Sequence, residues 1–135
     1  MIDINAMAAV MITAATQKIN TECLESVAVI IETESKSMIG EYQQGWDKLK
    51  DSTEAQKARM GYPANAPLLA TGEMRDSIQH HVSGDTAHIG TNDRKMRYHE
   101  YGTNRIPPRP VFGLVWNKKQ AECLEIIGDA TVKLL

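Results

Sequence analysis

At 135 residues, with 42% apolar and 24% charged side chains, the chain has the make-up of an ordinary soluble domain. A net charge of −2 gives no global case for nucleic-acid binding, and Cys23 and Cys123 stand too far apart for a CxxC redox or zinc site. No apolar run approaches the roughly 20 residues that span a bilayer, and the start lacks a signal-peptide pattern. A soluble, intracellular chain with two free, buried thiols is expected.

The first third predicts one long helix. Ile4, Met7, Ala8, Met11, Ala15, Ile19, Cys23, Val27, Ile30 and Ile31 recur at spacings of three and four, with no Pro or Gly before Gly40. Asp3 or Asn5 can cap its start, and the weak helix formers from Thr33 to Ser37 offer a place to break. A helix that long outruns the core of a small domain, so part of its stripe should meet another subunit.

Residues 40–67 form a mostly polar excursion, with Trp46 and Leu49 as anchors. Ser52 or Thr53 can cap a short helix, TEAQKARM, and mobility is expected in GYPANAP. A further short helix follows, with Thr71 as cap and Glu73 in its first turn. SIQHHVSGDTAHIGT then reads as a hairpin about Gly84-Asp85. Its pairing sets Val82 against Ala87, His81 against His88, and His80 against Ile89. Ile78, His80, Val82, Ala87 and Ile89 share the inner face, while His81, Ser83, Thr86 and His88 face water. A lone hairpin is marginal, so another strand or a packed helix is required.

Pro110 opens a last helix whose stripe runs through Phe112, Val115, Trp116, Cys123, Ile127, Ala130 and Leu134. The fold class is therefore α+β, in a single domain. Residues 1–39 are the long helix, 40–67 the partly mobile excursion, and 68–135 the hairpin with the C-terminal helix.

Catalytic and metal-binding patterns are missing from the sequence. His81 and His88 offer two imidazoles, but zinc needs three or four ligands. HEYGT, residues 99–103, has Thr103 where a zinc-protease motif needs its second histidine. No Walker loop and no GxGxxG occurs. The expectation is no enzyme, no metal and no cofactor.

Charge is unevenly spread. Residues 1–41 hold six acids against Lys18 and Lys36, whereas residues 94–109 hold Arg94, Lys95, Arg97, Arg105 and Arg109 against Glu100 alone. Opposite patches suit head-to-tail association of copies. The same basic segment, interleaved with Tyr98 and Tyr101, supports an alternative: a nucleic-acid-binding accessory protein.

Four ordered pieces carry a family resemblance. The first is an L-x-T-G-x-L-x-x-S-I element, met by Leu69, Thr71, Gly72, Met74, Ser77 and Ile78, with Met74 in place of the usual leucine. A strand ending in Gly90, Thr91 and Asn92 follows, then Tyr98, His99, Glu100, Tyr101, Gly102 and Thr103. Pro107, Pro108, Arg109, Pro110, Phe112 and Gly113 complete the set, with Val111 inserted before the phenylalanine. Over residues 67–116 the chain resembles the virion-morphogenesis or tail-completion proteins of tailed bacteriophages, which include the Mu-type G protein.

The resemblance implies a structural virion protein, from a phage or prophage, made in the bacterial cytoplasm. It would act at the head–tail junction or the head-proximal end of the tail. Its partners would be itself, in a ring such as a hexamer, and neighbouring connector or tail-tube proteins. DNA would be met only through a ring lumen, and no membrane is involved.

Arg97, Tyr98, Glu100, Tyr101, Arg105, Pro108, Arg109 and Phe112 are then expected at a subunit or partner interface, being residue types enriched at interface centres or stiffened for docking. The acidic helix of one copy would meet the basic loop of the next. Joint Arg105→Glu and Arg109→Glu substitution should leave the fold intact and block assembly. A plainer reading pairs Arg109 with Glu100 inside the chain and lets the prolines steer into the last helix.

Overall fold

The computed structural model describes residues 9–14, 21–128 and 130–134. Chain order runs β1 (Ala9–Ala14), α1 (Thr21–Met38), α2 (Asp51–Arg59), α3 (Glu73–Asp76) and β2 (Gln79–Ser83). It continues through β3 (Thr86–Gly90), α4 (Arg94–Tyr101), α5 (Phe112–Ile127) and β4 (Ala130–Leu134). The four strands make an antiparallel sheet in the order β2-β3-β1-β4.

The expected N-terminal helix is corrected in its first part. Residues 9–14 are an interior strand, and the described helix spans Thr21–Met38, while residues 1–8 and 15–20 of the expected stripe lie outside the described residues. Val10, Ile12 and Ala14 are buried at a period of two, and the β-branched Val10, Ile12 and Thr13 suit a pleated surface. Helix α1 then runs unbroken through the suspected weak point. The Ser35 hydroxyl donates to the Ile31 carbonyl at 2.7 Å and stays inside the helix groove. Asp3 and Asn5 lie outside the described residues.

The last helix is corrected as well. It ends at Ile127, where Gly128 takes φ 73° and ψ −132°, and Ala130–Leu134 returns as a strand beside β1. That left-handed φ is open to glycine at little cost and closes the helix.

The hairpin register is as expected: Val82 faces Ala87, His81 faces His88 and His80 faces Ile89. Its missing support comes from β1, which pairs with both β3 and β4, and from α1. Leu24, Val27, Ala28 and Ile31 of α1, with Phe112, Val115, Cys123 and Ile127 of α5, cover the inner face of the sheet. The other face carries His81, Ser83, Met11, Thr13, Thr86, His88, Thr131 and Lys133, all exposed or half-buried.

Residues 40–67 leave and rejoin the body at one point, where the Gly40 amide donates to the Pro67 carbonyl at 2.8 Å. Trp46 anchors the excursion and Leu49 is half-buried. Helix α2 differs from expectation at its start: Lys50 is the N-cap and no side chain caps it, so neither Ser52 nor Thr53 does. Neither cysteine is in a disulfide; Cys123 is buried as expected, Cys23 only half-buried, and burial first of all pushes the Cys123 thiol up to about 11.

One contact ties α1 to the edge strand β2. His80 Nδ1 lies 2.7 Å from Glu32 Oε2, and its Nε2 lies 2.5 Å from Glu25 Oε1. A neutral imidazole has one N–H, so two carboxylates on opposite ring nitrogens hold the cation. Burial works to lower the His80 pKa, but the hydrogen bonds and charges of both glutamates outweigh it and the net is raised. A raised folded pKa means the contribution is complete below the ordinary 6.5 and fades as pH climbs through the raised value. Thermal melts between pH 5.5 and 9 should therefore show wild type losing its margin over His80→Gln as pH rises. A constant margin would show that the clamp carries no charge.

Candidate functional site

Helix α4 sorts its side chains into stripes by helical spacing. Met96 and Glu100 are buried, Lys95 and His99 line a cavity, and Arg94, Arg97, Tyr98 and Tyr101 share the exposed side. The helix is well started, because Asp93 Oδ1 accepts from the Lys95 amide at 3.0 Å. Thr91, fully buried, accepts from the Asp93 amide at 2.9 Å and meets the Ser77 hydroxyl at 2.5 Å. Two of the sequence motifs thus meet directly.

Glu100 turns inward to the start of α5, which has no side-chain cap of its own. Its Oε2 accepts from the Val111 amide at 2.5 Å, and its Oε1 from Phe112 at 2.7 Å and Gly113 at 3.2 Å. These amides begin a helix, where unsatisfied donors and the dipole both favour an anion. Burial pushes the Glu100 carboxyl above its ordinary value, and the three amide bonds act against that rise.

Arg109 is equally internal, at 5% exposure. Its Nε and one terminal nitrogen donate to the Asp47 carbonyl at 3.1 and 2.9 Å, and that nitrogen also reaches Lys48 O at 3.4 Å. The Arg109 amide donates to His99 O at 2.6 Å, while Trp46 Nε1 donates to Pro110 O at 3.1 Å. Glu100 and Arg109 each take backbone partners and not one another. The polar excursion, the end of α4 and the start of α5 are locked at this corner.

Between them the chain turns at Gly102, with φ 73°. A Cβ there would sit 2.9 Å from both Pro108 Cδ and Pro108 N, so glycine is required for closeness as well as conformation. Thr103 Oγ1 accepts from the amides of Arg105 and Ile106 and stiffens the turn.

The eight expected interface residues therefore divide. Arg97, Arg105 and Pro108 are exposed, as are Tyr98 at 49% and Tyr101 at 53%, whereas Glu100, Arg109 and Phe112 are buried. On α1 the acids are largely engaged within the chain. Glu25 and Glu32 hold His80, and Glu34 pairs with Lys118 at 2.5 Å and Lys119 at 4.0 Å.

His81 and His88 oppose each other on the open sheet face. Among the described residues no group of three or more His, Cys, Asp or Glu side chains is placed to hold a metal ion. Nor is any described helix long and apolar enough to cross a membrane. The partners sequence reading missed are carbonyls: those of Asp47 and Lys48 leave no residue-type signal, although Trp46 in a polar stretch marked the neighbourhood.

Among curated proteins and among solved structures, none matches the chain. The model of the phage virion morphogenesis family matches residues 4–130, spanning every motif placed at this corner, and the chain belongs to that family.

Proposed function

We propose that the protein acts at the head–tail junction or the head-proximal end of the tail, by associating with copies of itself and docking to neighbouring virion proteins. Family membership gives it a structural, assembly role in phage. The observation behind the finer reading is the exposed stripe of α4 with its adjoining turn. Arg94, Arg97, Tyr98 and Tyr101 project from a helix whose buried side is fixed by Glu100, and Arg105 and Pro108 stand beside them. A rigid base presenting Arg and Tyr loses little entropy on docking.

Because Arg109 is buried, Arg109→Glu would disturb the fold, and the surface is tested at other positions. Because most α1 acids are already paired, the counter-surface need not be that helix. The joint variant Arg97→Glu, Arg105→Glu is expected to keep the wild-type melting temperature. It should also fail to support tailed particles when it replaces the gene in the parent phage, as seen by electron microscopy. Analytical ultracentrifugation of the purified chain reads self-association directly. Normal particle yield with an unchanged oligomer distribution would sink the proposal. Loss of a salt-sensitive DNA affinity, with normal particles, would favour the nucleic-acid alternative.

A further inference from the structure

A cavity of about 300 Å³ opens between α2, the Leu68–Gly72 segment and α4. Its floor and walls are chiefly apolar, with Leu49, Leu68, Leu69 and Met74, and Met60 stands at 57% exposure beside them. The polar part of the lining is one-sided. Besides the neutral Thr53, Gln56, Tyr62 and Thr71 it holds Lys57, Lys95 and His99, and among the described residues no carboxylate lines it.

Each of the three retains hydrogen-bonding capacity. Lys57 Nζ donates to the Ala66 carbonyl, which leaves two ammonium hydrogens. The nearest carboxylate to Lys95 is that of Asp93, at 3.6 Å across an exposed contact. His99 Nδ1 is buried with no hydrogen-bond partner among the described residues. A buried ring nitrogen left unpaired carries a desolvation cost that an incoming group can relieve.

We infer that this cavity is a docking pocket for a segment of another protein that presents a bulky apolar side chain next to a carboxylate. The volume suits one or two large side chains, at the lower end of the range for ligand clefts. The Lys57 and Lys95 ammonium groups, each with a carboxylate behind it at Glu54 and Asp93 but none in the cavity lining, suit an acid at the rim, and a basic segment would meet like charge there. Lys95 and His99 lie on a different stripe of α4 from Arg97 and Tyr101, so the pocket is separate from the proposed assembly surface and does not depend on it.

The test uses the full chain with its methionine methyls labelled for NMR and two peptide probes, acetyl-Asp-Leu-Phe-Glu-amide and acetyl-Lys-Leu-Phe-Lys-amide. The acidic peptide is expected to shift the Met60 and Met74 signals saturably and to bind at least about tenfold more tightly than the basic one. His99, held down to about 4 by burial and by the neighbouring Arg109 charge, should titrate at higher pH when the acidic peptide is bound. Ala70→Trp fills the mouth from an exposed position and should abolish the shifts, while Lys95→Glu should remove the preference for acid. Equal binding of the two peptides, no saturation with either, or shifts that survive Ala70→Trp would each overturn the inference.

Discussion

Glu100→Ala should lower stability by about 3 kcal/mol, a shift of roughly 10 °C in melting temperature for a chain of this size. Three amides at the start of α5 lose their acceptor together, and those of Val111 and Phe112 lie buried, in residues 1% and 0% exposed. An orphaned buried donor costs more than a hydrogen bond is worth, so the loss exceeds that of trimming an ordinary cap. Glu100→Gln keeps the shape and one acceptor oxygen, and should recover about half of the deficit. Denaturant unfolding of the two variants measures both figures. A loss below about 0.5 kcal/mol for Glu100→Ala, typical of an uninvolved surface position, would mean the carboxylate does not cap the helix.

How far the fold was legible follows from where each segment finds its partners. The β2–β3 hairpin carries its own turn and its own alternation, so even the residue pairing was readable. Strands β1 and β4 could not be read that way, since each is the other's neighbour across nearly the whole chain. Met7, Ala8, Met11 and Ala15 mimic helical spacing, and the true alternation of Val10, Ile12 and Ala14 spans only six residues. At the other end Ile127, Ala130 and Leu134 continue a helical stripe on paper, although Gly128 ends the helix. Both misreadings are one: a strand pair between the ends looks helical until its halves are brought together.

The candidate site was legible as a corner and not as a list of contacts. Glycine, prolines, arginines and tyrosines in one short stretch marked a constrained turn, and Gly102 proved to need its missing Cβ. Residue type could not tell which charges point outward. Arg105 and Arg109 stand four apart in similar surroundings, yet one is exposed and the other is buried on carbonyls of residues 47 and 48. Backbone acceptors some sixty residues away leave no trace in composition.

Arg109→Ala is expected to cost about 2 to 3 kcal/mol, and to act first on the excursion. The guanidinium is the bolt between Asp47 and Lys48 on one side and the start of α5 on the other, with the Trp46–Pro110 bond beside it. Removing it leaves two carbonyls short of a donor and opens space next to the Trp46 ring. Trp46 emission should then move to the red, and trypsin should cut at Lys48, Lys50, Lys57 or Arg59 at denaturant concentrations that leave wild type intact. Arg109→Lys is not expected to rescue, because a single ammonium cannot reproduce the forked donors that reach two successive carbonyls. Arg105→Ala is the matched control, exposed on the same loop, and should stay within about 0.5 kcal/mol of wild type. Hydrogen exchange across residues 43–50 separates the two cases. If those amides stay as protected in Arg109→Ala as in Arg105→Ala, the arginine is a passenger and the excursion is held by Trp46 alone.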